Sequence, residues 1–160
     1  MLSFQGMPAL YIHSLLATTN DLDLVEQTGR TRSINRGHWQ LDELQARLAD
    51  PSSAQARMLA HCRQIMACRE AQPALQPDAE QAVSPGPPGV FLLRRYCASQ
   101  SLLIAASVAD KDQEIPLHGT GWPEGTFVDC LTGDAVTIGA TLRLAPYQVV
   151  WLDATGTPLP

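Results

Sequence analysis

Beyond the cluster Ser84-Pro85-Gly86-Pro87-Pro88-Gly89, turn residues cut the chain into short β-rich runs, and this rhythm restricts the C-terminal half to an antiparallel sheet or small sandwich from about Ala79 onward. Residues 90–96 and 102–108, joined through Ser99-Gln100-Ser101, read as a hairpin. Three further runs follow, at 126–131, at 135–138 with 141–144, and at 148–152. They are spaced by Thr132-Gly133-Asp134 and Ala145-Pro146. Trp122 and Trp151 fall in this half and read as core residues; the alternative is an aromatic platform on which a carbohydrate stacks.

The front of the chain has a different texture. Met1-Leu2-Ser3-Phe4-Gln5, apolar and uncapped, reads as the interior of a longer polypeptide. Pro8-Ala9-Leu10-Tyr11-Ile12-His13 is near-continuously apolar, as expected of a parallel strand covered on both faces. The next hundred residues offer it no parallel neighbour, so it is assigned to a sheet whose other members are absent. Residues 14–38 show no sustained period and read as one long loop, a length that usually serves a function. Leu41, Leu44 and Leu48 then mark a short helix ending at Asp50-Pro51. Ser52 or Ser53 caps a second, in which Met58, Cys62, Ile65, Met66 and Arg69 recur at helical steps up to Gln72-Pro73. That Met and Cys stripe is expected to be core. His61 has no ligand partner at i+4 and reads as a flanking residue.

With 160 residues, 45% of them hydrophobic and 17% charged, the chain is composed like a globular protein with a packed core. A net charge of −5 with only 11 Lys and Arg argues against general nucleic-acid binding. The apolar run from Pro8 to Leu16 is too short to span a bilayer and is interrupted by His13 and Ser14, so no membrane partner is expected. No secretory signal is visible, and the expected location is the cytoplasm. Cys62, Cys68, Cys97 and Cys130 lack metal-site spacing and read as reduced thiols; no metal is expected.

One stretch is built to grip something polar. Thr28-Gly29-Arg30-Thr31-Arg32-Ser33-Ile34-Asn35-Arg36 holds three guanidinium groups within seven residues, beside a glycine that lets the backbone bend. Two readings stand side by side: the arginines contact a ligand, or they pair with Asp21, Asp23 and Glu26 and fix the loop's shape.

Gly6-Met7-Pro8-Ala9-Leu10-Tyr11-Ile12, the pair Asn20-Asp21 and the run Arg32-x-Ile34-Asn35-Arg36 resemble the last barrel strand and following loop of the sucrose phosphorylase group, in the α-amylase superfamily (glycoside hydrolase family 13). The likeness runs without a gap over residues 5–40 and more weakly over the rest. It implies a fold that is α/β and then all-β: residues 1–75 as the end of an incomplete (β/α)8 barrel, residues 76–160 as a C-terminal antiparallel β domain. It further implies transfer of a glucosyl group from an α-glucoside to phosphate with retention, needing two carboxyl groups about 5 Å apart. In the family these come from earlier strands, so no catalytic residue is assigned here, and the chain alone is expected to be inactive. Arg32 matches a family arginine that holds glucose hydroxyls. His13 is the second substrate-binding candidate, with packing against the loop as its alternative. Arg30, Asn35, Arg36 and Asp21 are assigned to structuring the loop. Sugar and phosphate are the implied partners, with no cofactor. A complementing barrel piece or self-association is expected to cover the open strand. The alternative is a free-standing, non-catalytic β module that binds carbohydrate or protein.

Overall fold

In the computed structural model, which describes residues 1–157, the turn-punctuated half of the chain forms eight strands. They are β1 (Glu80–Ser84), β2 (Val90–Tyr96), β3 (Ser101–Ser107), β4 (Gln113–Pro116), β5 (Gly125–Asp129), β6 (Ala135–Ile138), β7 (Thr141–Leu144) and β8 (Val149–Asp153). All pairs are antiparallel, in a six-stranded sheet of order β1-β2-β3-β8-β5-β6 and a two-stranded sheet of β4 and β7. The expected hairpin is present as β2 and β3, registered from Val90↔Ser107 to Tyr96↔Ser101. Residues 135–138 and 141–144 are also strands, but they do not pair with each other: β6 pairs with β5, and β7 crosses to β4. Strands β1 and β4 lack a β-rich signature, because β1 is largely exposed and β4 buries only Ile115.

Core residues come from both sheets. Leu92, Leu103, Ala105, Phe127, Ile138, Val150 and Leu152 of the large sheet pack in one cluster with Ile115, Leu142 and Leu144 of the small one, which makes a sandwich. Trp122 and Trp151 are buried, so the core reading of both holds, and neither belongs to an exposed aromatic row of the kind a carbohydrate-binding module would present. The turn between β5 and β6 is organised by Asp129, itself buried. Its Oδ1 accepts from Leu131 N at 3.1 Å and Trp151 N at 2.9 Å, while Gly133, at φ 82°, donates to the Asp129 carbonyl at 2.7 Å.

The middle of the large sheet is covered on its other face as well. There Arg95, 0% exposed, donates to the carbonyls of Ser3, Gln76, Ala79 and Glu80 at 2.8–3.2 Å, with no carboxylate among its partners. Arg69, also buried, donates to the carbonyls of Leu2 and Gly6. Phe4 meets Phe91 edge-on at 5.3 Å. Segment Met1–Pro8 therefore forms one compact unit with the chain from Ala67 onward, and Ala9–Met66 forms a second.

The second unit corrects several expectations. Residues 8–13 are not a strand: among the described residues no strand precedes β1, and Ile12–Leu15 is a helical turn (α1). A strand needs a hydrogen-bonded neighbour, and these residues have none. The barrel end expected over 1–75 is thus not formed as a strand-loop-helix. The supposed loop at 14–38 is mostly ordered, with α2 (Leu22–Thr28) and a 3-10 turn at Thr31–Asn35. The two expected helices are present as α3 (Leu41–Ala49) and α4 (Ala54–Glu70), and Ser53 caps α4 by accepting from Ala56 N at 3.0 Å. The Met and Cys stripe of α4 is not core, since Met58 is 41% exposed and only Arg69 of the helix is buried.

Arg95→Ala removes the guanidinium donor from four carbonyls, and is expected to cost about 3–5 kcal/mol of stability, read as a lowered urea midpoint. An unchanged midpoint would show that water replaces the guanidinium at no cost.

Candidate functional site

The arginine run sits in the Ala9–Met66 unit, and local bonds set its shape. Asp21 caps α2, its Oδ1 accepting from Leu24 N at 2.8 Å. Gly29 ends that helix in the left-handed region, at φ 65°, where its N–H reaches Val25 O at 2.8 Å. The chain then turns through the 3-10 segment, where Ser33 N donates to Arg30 O at 2.9 Å and Arg36 N to Ser33 O at 3.0 Å. Ser33 is buried, and the Thr28 hydroxyl meets its Oγ at 3.1 Å. The turn is fastened at its far end too: Asp21 N donates to Ile34 O at 2.7 Å, and Tyr11 Oη to Asn35 O at 3.0 Å.

Arg30, Arg32 and Arg36 are all exposed. Among the described residues none makes an ion pair; the pairs present are Arg47 with Glu43 and Arg143 with Glu114. Pairing of the run with Asp21, Asp23 or Glu26 is therefore not what shapes the loop. Arg30, Asn35 and Arg36 enter its bonding through backbone atoms, and Asp21 does so through its carboxylate as well. The three guanidinium groups are left facing solvent.

His13 lies in α1, half-buried. Its Nδ1 is 3.1 Å from Thr18 Oγ1, which also accepts from Trp39 Nε1 at 2.9 Å, and the edge-on ring of Tyr11 is centred 5.1 Å away. Trp39 is thus held to the residues just after α1. Thr18 was not marked by the sequence: it lies 21 positions from Trp39, and only the folded chain joins them. Elsewhere in the unit an open groove of about 700 Å³ is lined by Ala17, Arg57, Met58, His61 and Gln64, which gives His61 a surface setting.

Among the described residues no group of three or more His, Cys, Asp or Glu is arranged to hold a metal ion. No helix is long and apolar enough to cross a membrane. The cysteines are free thiols, each half-buried. Burial, reinforced by the charges of Asp153 and Asp129 and the neighbouring Cys68, pushes the Cys130 thiol up to about 11. Burial raises Cys68 as well. A hydrogen bond from Ser99 lowers Cys97. Iodoacetamide at pH 8 should therefore alkylate Cys97 first. The Cys130 rate should climb about tenfold per pH unit below its pKa, because only the thiolate attacks. Peptide mass spectrometry over a pH series checks this, and equal rates for the two thiols at pH 8 would refute it.

No family model matches the chain. Among curated proteins it is similar to the glucosylglycerate phosphorylase of Allomeiothermus silvanus, 32% identical over 152 residues, and to that of Spirochaeta thermophila, 30% identical over 164 residues. Each match takes in 95% of this chain, which spans only 25% and 28% of the two relatives. Among solved structures, a cyclomaltodextrin glucanotransferase with a three-domain arrangement is matched over 96% of the chain and 30% of its own length, at a TM-score of 0.65 and 15% identity. An Anoxybacillus α-amylase is matched over 79% of the chain and 26% of its own, at 0.56 and 17%. At those identities the likeness is one of fold, and it agrees with the antiparallel β domain.

Proposed function

Starting from a chain related along nearly all its length to sugar phosphorylases of the α-amylase superfamily, we propose that it is the C-terminal portion of an enzyme that phosphorolyses an α-glucoside, with glucosylglycerate as the substrate its relatives favour. The observation that carries this reading is the 30–32% identity to two glucosylglycerate phosphorylases over 95% of the chain. In this reading residues 1–75 close the barrel domain of the full enzyme and 76–160 are its C-terminal β domain.

The reaction needs a carboxylate nucleophile that takes the glucosyl group at its anomeric carbon, and a carboxylic acid that protonates the departing glycerate oxygen. Phosphate oxygen then attacks the glucosyl-enzyme, breaks the ester and yields α-glucose 1-phosphate, so two inversions give net retention. Neither carboxyl group is assigned to these 160 residues, and the isolated chain is inactive. Its contribution is to hold the sugar. Arg32 presents a planar fork of donors to two glucose hydroxyls, and its exposure without an ion pair among the described residues supports that role. His13 supplies a second contact, through a ring nitrogen. The full enzyme works in the cytoplasm on small-molecule sugar and phosphate, without a cofactor.

The test is a chimera in which this chain replaces the matching quarter of the Allomeiothermus silvanus enzyme. The chimera should release glucose 1-phosphate from glucosylglycerate and phosphate, while the 160-residue chain alone should not. Within it, Arg32→Ala should lower kcat/KM about 10- to 100-fold, the loss of one or two charge-assisted hydrogen bonds, and Arg32→Lys should restore little of it. Turnover by the isolated chain, or an Arg32→Ala chimera at full kcat/KM, would sink the proposal.

A further inference from the structure

The backbone just after α1 is bent in a way its sequence does not favour. Ala17, a residue with a Cβ, sits at φ 45°, in the left-handed region that usually falls to glycine. The bend returns the next residue onto the helical turn it has just left, so that Thr18 N donates to His13 O at 2.9 Å. It also brings the Thr18 hydroxyl to His13 Nδ1 at 3.1 Å. Strain of this kind persists only where surrounding contacts hold it in place, and here a Trp39 side chain does so from 21 residues away.

The hydrogen-bond inventory then fixes the ring. An indole N–H can only donate, so the 2.9 Å contact from Trp39 Nε1 occupies one lone pair of Thr18 Oγ1. The oxygen keeps a proton and a second lone pair, and either engages His13 Nδ1. Nε2 is left as the ring nitrogen with no partner among the described residues. Tyr11 stands edge-on to the ring at an interplanar angle of 62°, and its hydroxyl is tied to Asn35 O at the end of the turn that carries Arg32. The imidazole and the arginine-bearing turn are therefore held by one set of contacts.

We infer that Thr18 is a positioning residue: its hydroxyl, itself fixed by Trp39, holds His13 so that Nε2 is the nitrogen offered to a hydroxyl of the bound glucoside. This rests on the proposed role of His13 in sugar binding, and its two halves are measured separately.

Positioning is read on the 160-residue chain with ¹⁵N-labelled histidine, the His13 signals being assigned through His13→Asn. Thr18→Val keeps the shape and removes the hydroxyl, and should shift the Nδ1 and Nε2 resonances of His13 while leaving those of His38, His61 and His118 in place. Thr18→Ser should keep the wild-type pattern. In the chimera, Thr18→Val should raise KM for glucosylglycerate about 3- to 10-fold with a smaller effect on kcat, and Thr18→Ser should restore it. His13→Ala should match Thr18→Val, and the double variant should be no worse than either. A His13 pattern unmoved by Thr18→Val overturns the positioning role itself. A moved pattern with KM unchanged in Thr18→Val overturns its relevance to the sugar. A His13→Ala chimera at wild-type KM shows instead that the reading of His13 as a sugar contact has failed.

Discussion

A buried cation with no carboxylate partner among the described residues governs how this chain is put together. Arg95 stands in the second strand of the large sheet, fully out of solvent, and its guanidinium is satisfied entirely by carbonyls from Ser3, Gln76, Ala79 and Glu80. Burial alone would disfavour the charge, and it lowers the pKa, as does the positive charge of Arg69 nearby. An arginine stays protonated all the same, so the cost has to be met by acceptors. Carbonyl dipoles from two separate stretches of backbone meet it, and in doing so they fasten residues 1–8 to a sheet whose strands begin more than seventy positions later. Arg69 repeats the device on Leu2 and Gly6.

The two units are stabilised by different means. In the β unit, apolar side chains from two sheets share a dry core, and most of the largest fully buried residues of the chain lie there. In Ala9–Met66 the buried residues are Leu16 and Ser33, while Tyr11, Ile12, Leu22 and Leu41 remain 47–67% exposed. Burial contributes little to that unit's own stability, and its form comes from caps, a 3-10 turn and a few long-range side-chain bonds. Such a stretch takes up a specific shape where polar geometry dictates one. That is why the Asp21, Tyr11 and Thr18 contacts matter more to the candidate site than any apolar packing does.

This difference also explains what the sequence disclosed. Strands β2, β3, β6, β7 and β8 were legible because each buries alternating or continuous apolar residues and is bounded by turn residues, so composition and structure answer to the same cause. The partners of β6 and β7 were not legible, since pairing across sheets is decided by the shared core and not by proximity in sequence. The misread strand at residues 8–13 has the composition of a buried strand, and the spacing of α4 that of a helix facing a core. Both are only partly buried among the described residues, with Leu10, Ile65 and Met66 half-buried and Ile12 and Met58 exposed, so an apolar pattern alone did not fix a strand or a core-facing helix there. At the candidate site Asp21 and the arginine run could be read from their chemistry. Thr18 could not, because an ordinary threonine gains its role only from a left-handed alanine before it and a tryptophan 21 positions on.

The arginines show the same limit from the other side. Arg69 and Arg95 carry the same group as Arg30, Arg32 and Arg36, and nothing in their immediate sequence says which will be buried. What separates them is which backbone carbonyls lie within reach. Guanidinium groups at 69 and 95 meet carbonyls of the first residues and of the stretch from Gln76 to Glu80, and they become structural. The loop between α2 and α3 uses its own carbonyls to close its turns, with Arg30 O, Ser33 O, Ile34 O and Asn35 O each already accepting a hydrogen bond. Arg32 is exposed and makes no ion pair among the described residues, so an oxygen that reached its guanidinium would displace solvent rather than a charged internal partner.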